Sequence, residues 1–114
     1  MPWNLDSDRP IFLQIVERLE SDIVSGKYAP GEKLPAVREL AVEAAVNPNT
    51  MQKACTELER IGLVYSQRTS GRFVTEDKKR IDQTRKDLAK RAAKELLKKM
   101  EGLGIDRDEA IKLL

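Results

Sequence analysis

Apolar residues recur every third or fourth position in three stretches before residue 62, and this spacing predicts three helices. The first is expected from Pro10, where Ile11, Ile15, Leu19 and Ile23 form one stripe that Phe12 and Val16 broaden. Asp8 is suited to cap it and Gly26 to stop it. A turn at Tyr28-Ala29-Pro30-Gly31 and the step Leu34-Pro35 lead into a short second helix through Val37, Leu40 and Ala41. The third helix is expected from Pro48 to about Ile61, closing at Gly62, with Met51, Ala54, Cys55, Leu58 and Ile61 as its inward stripe. Asn47 suits its N-cap, because the side-chain oxygen can accept from a free N–H of the first turn. Pro48 suits the first helical position, where its missing N–H costs nothing. Next, Leu63-Val64-Tyr65 and Phe73-Val74 flank a polar Gln67-Arg68-Thr69-Ser70-Gly71 segment, which reads as a β-hairpin. Three helices and a hairpin in this order make a winged helix-turn-helix, with Glu43–Asn47 as the expected turn.

The pattern changes at both ends. Residues 1–9 read as an arm containing Pro2, with Trp3 and Leu5 available to pack back onto the domain. From Glu76 the chain is rich in Lys, Arg, Asp, Ala and Leu, and Ile81, Leu88, Ala92, Leu96 and Met100, with Ala89, Ala93 and Leu97 beside them, give a long helix a wide apolar face. Gly102-Leu103-Gly104 breaks it. Asp106 then caps a last helix, with Glu109 placed to reach back and Ile105 and Ala110 at the staple positions. That helix offers Ile111 and Leu114 on one side. A tail this apolar needs a cover, and a second subunit is the economical one. The expected fold is mainly α with a small β-hairpin: a winged helix-turn-helix domain over residues 1–75 and a two-helix dimerisation tail over 76–114.

Composition narrows the chemistry. The chain has no histidine and one cysteine, which argues against the usual zinc and haem sites, His-based acid–base catalysis, a Cys–His nucleophile pair and an internal disulfide. No cofactor or metal is expected. No apolar run is long enough to span a bilayer, and the N-terminus lacks signal-peptide features, so a cytoplasmic protein is expected. Net charge is +2. Residues 1–75 hold 9 Lys+Arg against 10 Asp+Glu, whereas residues 76–114 hold 12 against 9. The winged part is therefore not basic overall, and any grip on nucleic acid must come from a few placed cations.

The third helix turns Asn49, Thr50, Gln52, Lys53, Thr56 and Arg60 away from its apolar stripe. Amides, a hydroxyl and cations near a helix start can bond base edges and phosphates in a major groove. Many surface helices look the same, so the neighbouring blocks decide. These are Pro30-Gly31-Glu32-Lys33-Leu34-Pro35-Ala36-Val37-Arg38-Glu39-Leu40-Ala41, Val46-Asn47-Pro48-Asn49-Thr50, Leu58-Glu59-Arg60-Ile61-Gly62-Leu63-Val64 and Gly71-Arg72-Phe73-Val74. Over roughly residues 10–75 they resemble the DNA-binding domain of the GntR family of bacterial transcription regulators, and the short tail and Asn-Pro-Asn-Thr resemble its YtrA-like subfamily.

The resemblance implies a homodimer that binds a two-fold symmetric double-stranded DNA operator, usually as a repressor. It implies a DNA contact for Arg38, reading roles for Asn47, Asn49, Thr50, Gln52 and Lys53, and a minor-groove approach for the wing at Gly71. The sequence departs from the family pattern at Thr69, where a second glycine is common, and at Arg72, where a small hydroxyl residue is common. A minor-groove contact through Arg68 or Arg72 is the corresponding expectation. Subunit contact is expected at Ile81, Leu88, Ala92, Leu96, Leu97, Met100, Leu103, Ile111 and Leu114.

Each role has a plainer counterpart. Arg38 could pair with Glu39 or Glu43, Asn47 could be a cap alone, Gly71 could serve the turn alone, and the tail could pack on its own domain. Cys55 reads as core. A winged-helix module that binds protein and not DNA is the competing function, and an enzyme fits poorly. Residues 76–114 are too few to fold round a ligand pocket, so any small effector is expected at the dimer interface or not at all.

Overall fold

The computed structural model describes residues 3–114, so Met1 and Pro2 of the expected arm lie outside the described residues. Its order is α1 (Ile11–Val24), α2 (Val37–Ala44), α3 (Pro48–Arg60), β1 (Val64–Gln67), β2 (Gly71–Val74), α4 (Lys78–Gly102) and α5 (Arg107–Leu113). Among the described residues no helix is long and apolar enough to cross a membrane.

The three apolar stripes meet in one core. Ile15, Leu19, Leu40, Met51, Ala54, Leu58, Leu63 and Val74 have essentially no exposure, and Trp3 and Tyr28 close the core from the outside. The arm does pack back. Gln14, buried on α1, accepts from the Asp6 N–H at 2.7 Å and donates to the Asp6 and Arg9 carbonyls at 2.7 and 3.0 Å. That amide pairs three backbone groups of the arm, and Trp3 is seated under Arg18, 4.7 Å from the ring centroid.

The wing is an antiparallel hairpin pairing Val64 with Val74, Tyr65 with Phe73, Ser66 with Arg72 and Gln67 with Gly71. The outer edge of β2 is also covered. Gly31 N–H donates to the Val74 carbonyl, Val74 N–H to that of Glu32, and Leu34 N–H to that of Arg72, each at 2.9 Å. A two-stranded hairpin alone is marginal in water, so this third segment fixes its base.

Three expectations are corrected. Asp8 does not cap α1: the N-cap is Pro10, with no side-chain cap bond, and Asp8 stands two residues too early to reach the first turn. The turn before α3 is only Ala45-Val46-Asn47, because α2 continues through Glu43 and Ala44 and reverses on Ala45 at φ 59°. Ile81, expected at the subunit interface, is already covered within its own chain. At 6% exposure it belongs to the core of its own chain, since the first turns of α4 lie against α1. Arg85 fastens the same contact by donating to the Val24 carbonyl at 2.8 and 3.2 Å.

Asp77 caps α4, accepting from Lys79 and Arg80 N–H. Twenty-five residues make this helix about 37 Å long, so its far half leaves the core. The radius of gyration, 16.4 Å, exceeds the roughly 13 Å of a compact chain this size accordingly. As expected, Asp106 caps α5 by accepting from Glu109 N–H at 2.9 Å, and Ala110 is fully buried.

Glu20 sits buried where α1 meets α4, with Arg91 only at 3.9 Å. Burial pushes its carboxyl above the usual range, against the opposing pull of Arg91 and with help from Glu17, Glu57 and Asp87. Its folded pKa thus exceeds the unfolded one, so its contribution is most favourable below the unfolded value and is lost as pH rises through the folded one. Glu20→Gln is therefore expected to stabilise the fold by roughly 1 kcal/mol at pH 7, and the gain should vanish near pH 4. Thermal melts at the two pH values check this.

Candidate nucleic-acid interface

The start of α3 is built as its sequence requires. Asn47 is extended and its Oδ1 accepts from Asn49 N–H at 2.7 Å, with Pro48 next in the first turn. Met51, Ala54, Cys55 and Leu58 are buried, which leaves Asn47, Asn49, Gln52, Lys53, Thr56 and Arg60 exposed and Thr50 half-buried. Gln52 Nε2 lies 3.4 Å from Thr56 Oγ1, a weak bond that a base edge can replace. Lys53 Nζ lies 4.5 Å from the Phe12 ring centroid, so its cation rests on the start of α1. Arg60 pairs with Glu57, both on α3, one turn apart at the helix's far end.

Tertiary pairing sorts the charges of the winged part. Arg9, Arg18, Lys27, Arg60 and Arg72 each lie within ion-pair distance of an acid. Among the described residues, Lys33, Arg38, Lys53 and Arg68 have no such partner, and all four are exposed. Arg38 in particular pairs with neither Glu39 nor Glu43. These four stand on the approach to α2, on α2, on α3 and on the wing. The acids that hold the other five cations are Glu17, Asp22, Glu43, Glu57 and Glu59.

A cleft of about 710 Å3 opens between the start of α2 and the wing, bordered by Lys33, Val37, Ser66, Arg68 and Gly71, with Cys55 on its floor. Glu39 is the acid on this rim. The N-cap of α2 is Ala36, which makes no side-chain cap bond. The first N–H groups of that helix are thus available to an anion beside two cations. Burial pushes the Cys55 thiol above its ordinary range, which suits core packing.

Gly71 has φ 107°, and a Cβ there would stand 3.1 Å from Lys33 Cε. The backbone conformation therefore disfavours a side chain, and the flexible end of Lys33 would have to shift by a few tenths of an ångström to admit one. Lys33 was not among the expected site residues. Its neighbourhood with the wing depends on the Lys33–Phe73 bridge, a pairing forty residues apart with no local signature. Arg68 is exposed at the hairpin tip. Arg72 is not free: its Nε donates to Glu59 Oε1 at 2.5 Å.

On the tail, Leu96, Leu103, Ile111 and Leu114 are exposed, Leu103 by 77%, and Ala92 is exposed as well. Leu88, Leu97 and Met100 are half-buried. Leu113 joins this surface although the helical spacing did not single it out. Lys78, Lys79 and Arg80 form the exposed first turn of α4.

Residues 12–74 match the profile of the bacterial regulatory proteins, gntR family. The uncharacterized HTH-type transcriptional regulator YhcF of Bacillus subtilis (strain 168) is 36% identical over 111 residues, covering 97% of this chain and 92% of that one. The HTH-type transcriptional repressor YtrA of the same organism is 42% identical over 73 residues, 64% of this chain and 56% of its own length. Among solved structures, a GntR family transcriptional regulator from Listeria monocytogenes superposes with a TM-score of 0.85 at 41% identity, covering 96% of each chain. AraR(DBD) in complex with operator ORR3 superposes with a TM-score of 0.57 at 33% identity, covering 66% of this chain and 90% of that one. With matches of this extent over a winged helix-turn-helix whose α3 is capped and polar-faced, the chain belongs to the gntR family of bacterial regulatory proteins and is a transcription regulator.

Proposed function

We propose that the protein is a sequence-specific DNA-binding repressor that acts as a homodimer on a two-fold symmetric operator. In this reading α3 enters the major groove, Asn49, Thr50 and Gln52 face base edges, and Asn47 orients the helix start. Lys33, Arg38, Lys53 and Arg68 hold phosphates, and Gly71 lets the wing backbone approach the neighbouring groove. Arrest would be steric, with the bound dimer covering a promoter. The observation that carries the reading is the set of four exposed cations on the approach to α2, on α2, on α3 and on the wing, none with an acidic partner among the described residues. YtrA, a repressor, and AraR(DBD), solved with operator DNA, give independent support.

The exposed apolar residues of α4 and α5 supply the second half of the reading. Leu96, Leu103, Ile111, Leu113 and Leu114 lie exposed on a two-helix tail, uncovered by any of the described residues, and a second copy supplies a cover. Any effector would act at that junction. Selection from random duplex DNA tests the proposal. Recovered sequences should contain an inverted repeat with half-site centres about 10 bp, or a multiple of that, apart. Recovery of no symmetric sequence at low salt would sink it.

A further inference from the structure

Ser66 and Arg72 face each other across the hairpin and share one side of it, while Tyr65 and Phe73 stack on the other side at 5.8 Å. From that side both reach the same atom of α3. Glu59 Oε1 accepts from Ser66 Oγ at 2.6 Å and from Arg72 Nε at 2.5 Å. The Arg72 side chain is 20% exposed and that of Glu59 31%, against 70% for Arg60 in the ordinary surface pair nearby. The Ser66 hydroxyl first, and then Arg72, hold the Glu59 carboxyl below the usual carboxylate range.

The place of this junction gives it mechanical meaning. The strand-like segment Gly31–Leu34 anchors the base of the wing, and its last bond to β2 is Leu34 N–H to the Arg72 carbonyl. Beyond that point the tip has its own turn bond, Ser70 N–H to the Gln67 carbonyl at 3.1 Å. A four-residue strand is a lever of roughly 13 Å, so a hinge of about 10° at its base would move the tip by roughly 2 Å. Among the described residues, Glu59 is the hydrogen-bonding side chain that joins the hairpin strands to α3.

We infer that Glu59 is the positioning residue of the wing, fixing the angle between hairpin and recognition helix through Ser66 and Arg72. Arg72 then serves DNA binding through α3 and not by touching DNA. The inference rests on the DNA-binding reading above for its purpose, but the brace itself exists in the free protein. A charge argument predicts the opposite effect, because removing an acid beside a polyanion strengthens binding. The sign of the change therefore discriminates.

The test compares the full chain with Glu59→Ala, Arg72→Ala and the double variant. Two readouts are used: amide hydrogen exchange of the free protein at Ser70 and Leu34, and affinity for a duplex carrying the selected inverted repeat over a range of salt. Each single variant should speed exchange about tenfold and weaken binding about tenfold. The double variant should be no worse than either single one, and the salt slope should not change. Unaltered exchange overturns the brace whatever the DNA result. Tighter binding by Glu59→Ala overturns it too, as does an Arg72→Ala variant whose salt slope falls and whose effect adds to that of Glu59→Ala. Failure of the parent chain to bind any duplex sinks the DNA reading instead, and exchange still decides the brace.

Discussion

With Leu103 and Ile111 both replaced by aspartate, the chain is expected to sediment as a folded monomer and to bind a two-half-site operator roughly 100- to 10,000-fold more weakly than its parent. Both side chains are more than half exposed in the single chain, so polar replacement takes little from its core. In the proposed dimer the loss therefore comes from the partner's contacts. Once one subunit is docked, the second half-site is bound at an effective concentration set by the tail, and this advantage disappears with the dimer. Affinity for a single half-site should not change, which separates loss of pairing from damage to the reading head. A double variant that still sediments as a dimer would place the interface elsewhere.

Arg38→Ala is expected to weaken binding to all duplexes alike, whereas Gln52→Ala should weaken it selectively. Arg38 is an exposed guanidinium with no acidic partner among the described residues, on the helix whose start is uncapped. If the four unpaired cations each neutralise one phosphate, a dimer makes about eight such contacts, and log affinity should fall with log salt at a slope near −7. Loss of Arg38 from both subunits should reduce that slope by about 2. Gln52 carries no charge, so its loss should leave the slope alone and relax one position in each half-site by roughly 1–3 kcal/mol. Titrations at several salt concentrations on the selected duplex and its single-base variants read both effects. A slope unaffected by Arg38→Ala would remove that residue from the phosphate contacts.

The extent to which the sequence carried this picture differs by element. Helix α3 was legible nearly in full, because its cap, its proline and its apolar stripe are local signals that no distant contact overrides. The hairpin was legible in position, since Gly71 marks a backbone that other residues avoid. The turn before α3 was drawn too long because Ala45 adopts the left-handed conformation that glycine usually announces. Asp8 looked like a cap since cap residues are recognised by type, whereas the arm is pinned by Gln14 from within α1. Ile81 lay on the correct stripe of α4, but periodicity says which face is apolar and not what covers it. Its cover proved to be the chain's own core.

By itself, then, the sequence determined the helices, the hairpin, the outward face of α3 and the family, all of which follow from local spacing and residue type. It also counted the charges of the winged part and so implied a few placed cations, but a sum has no positions and could not say which. The tertiary structure decided which charges are paired. It brought Arg72 to Glu59 across thirteen residues and left Lys33, Arg38, Lys53 and Arg68 without acidic partners among the described residues. It also set Lys33 beneath Gly71. Ion pairing acts through space over a few ångströms, and only the packed fold determines which groups lie that close.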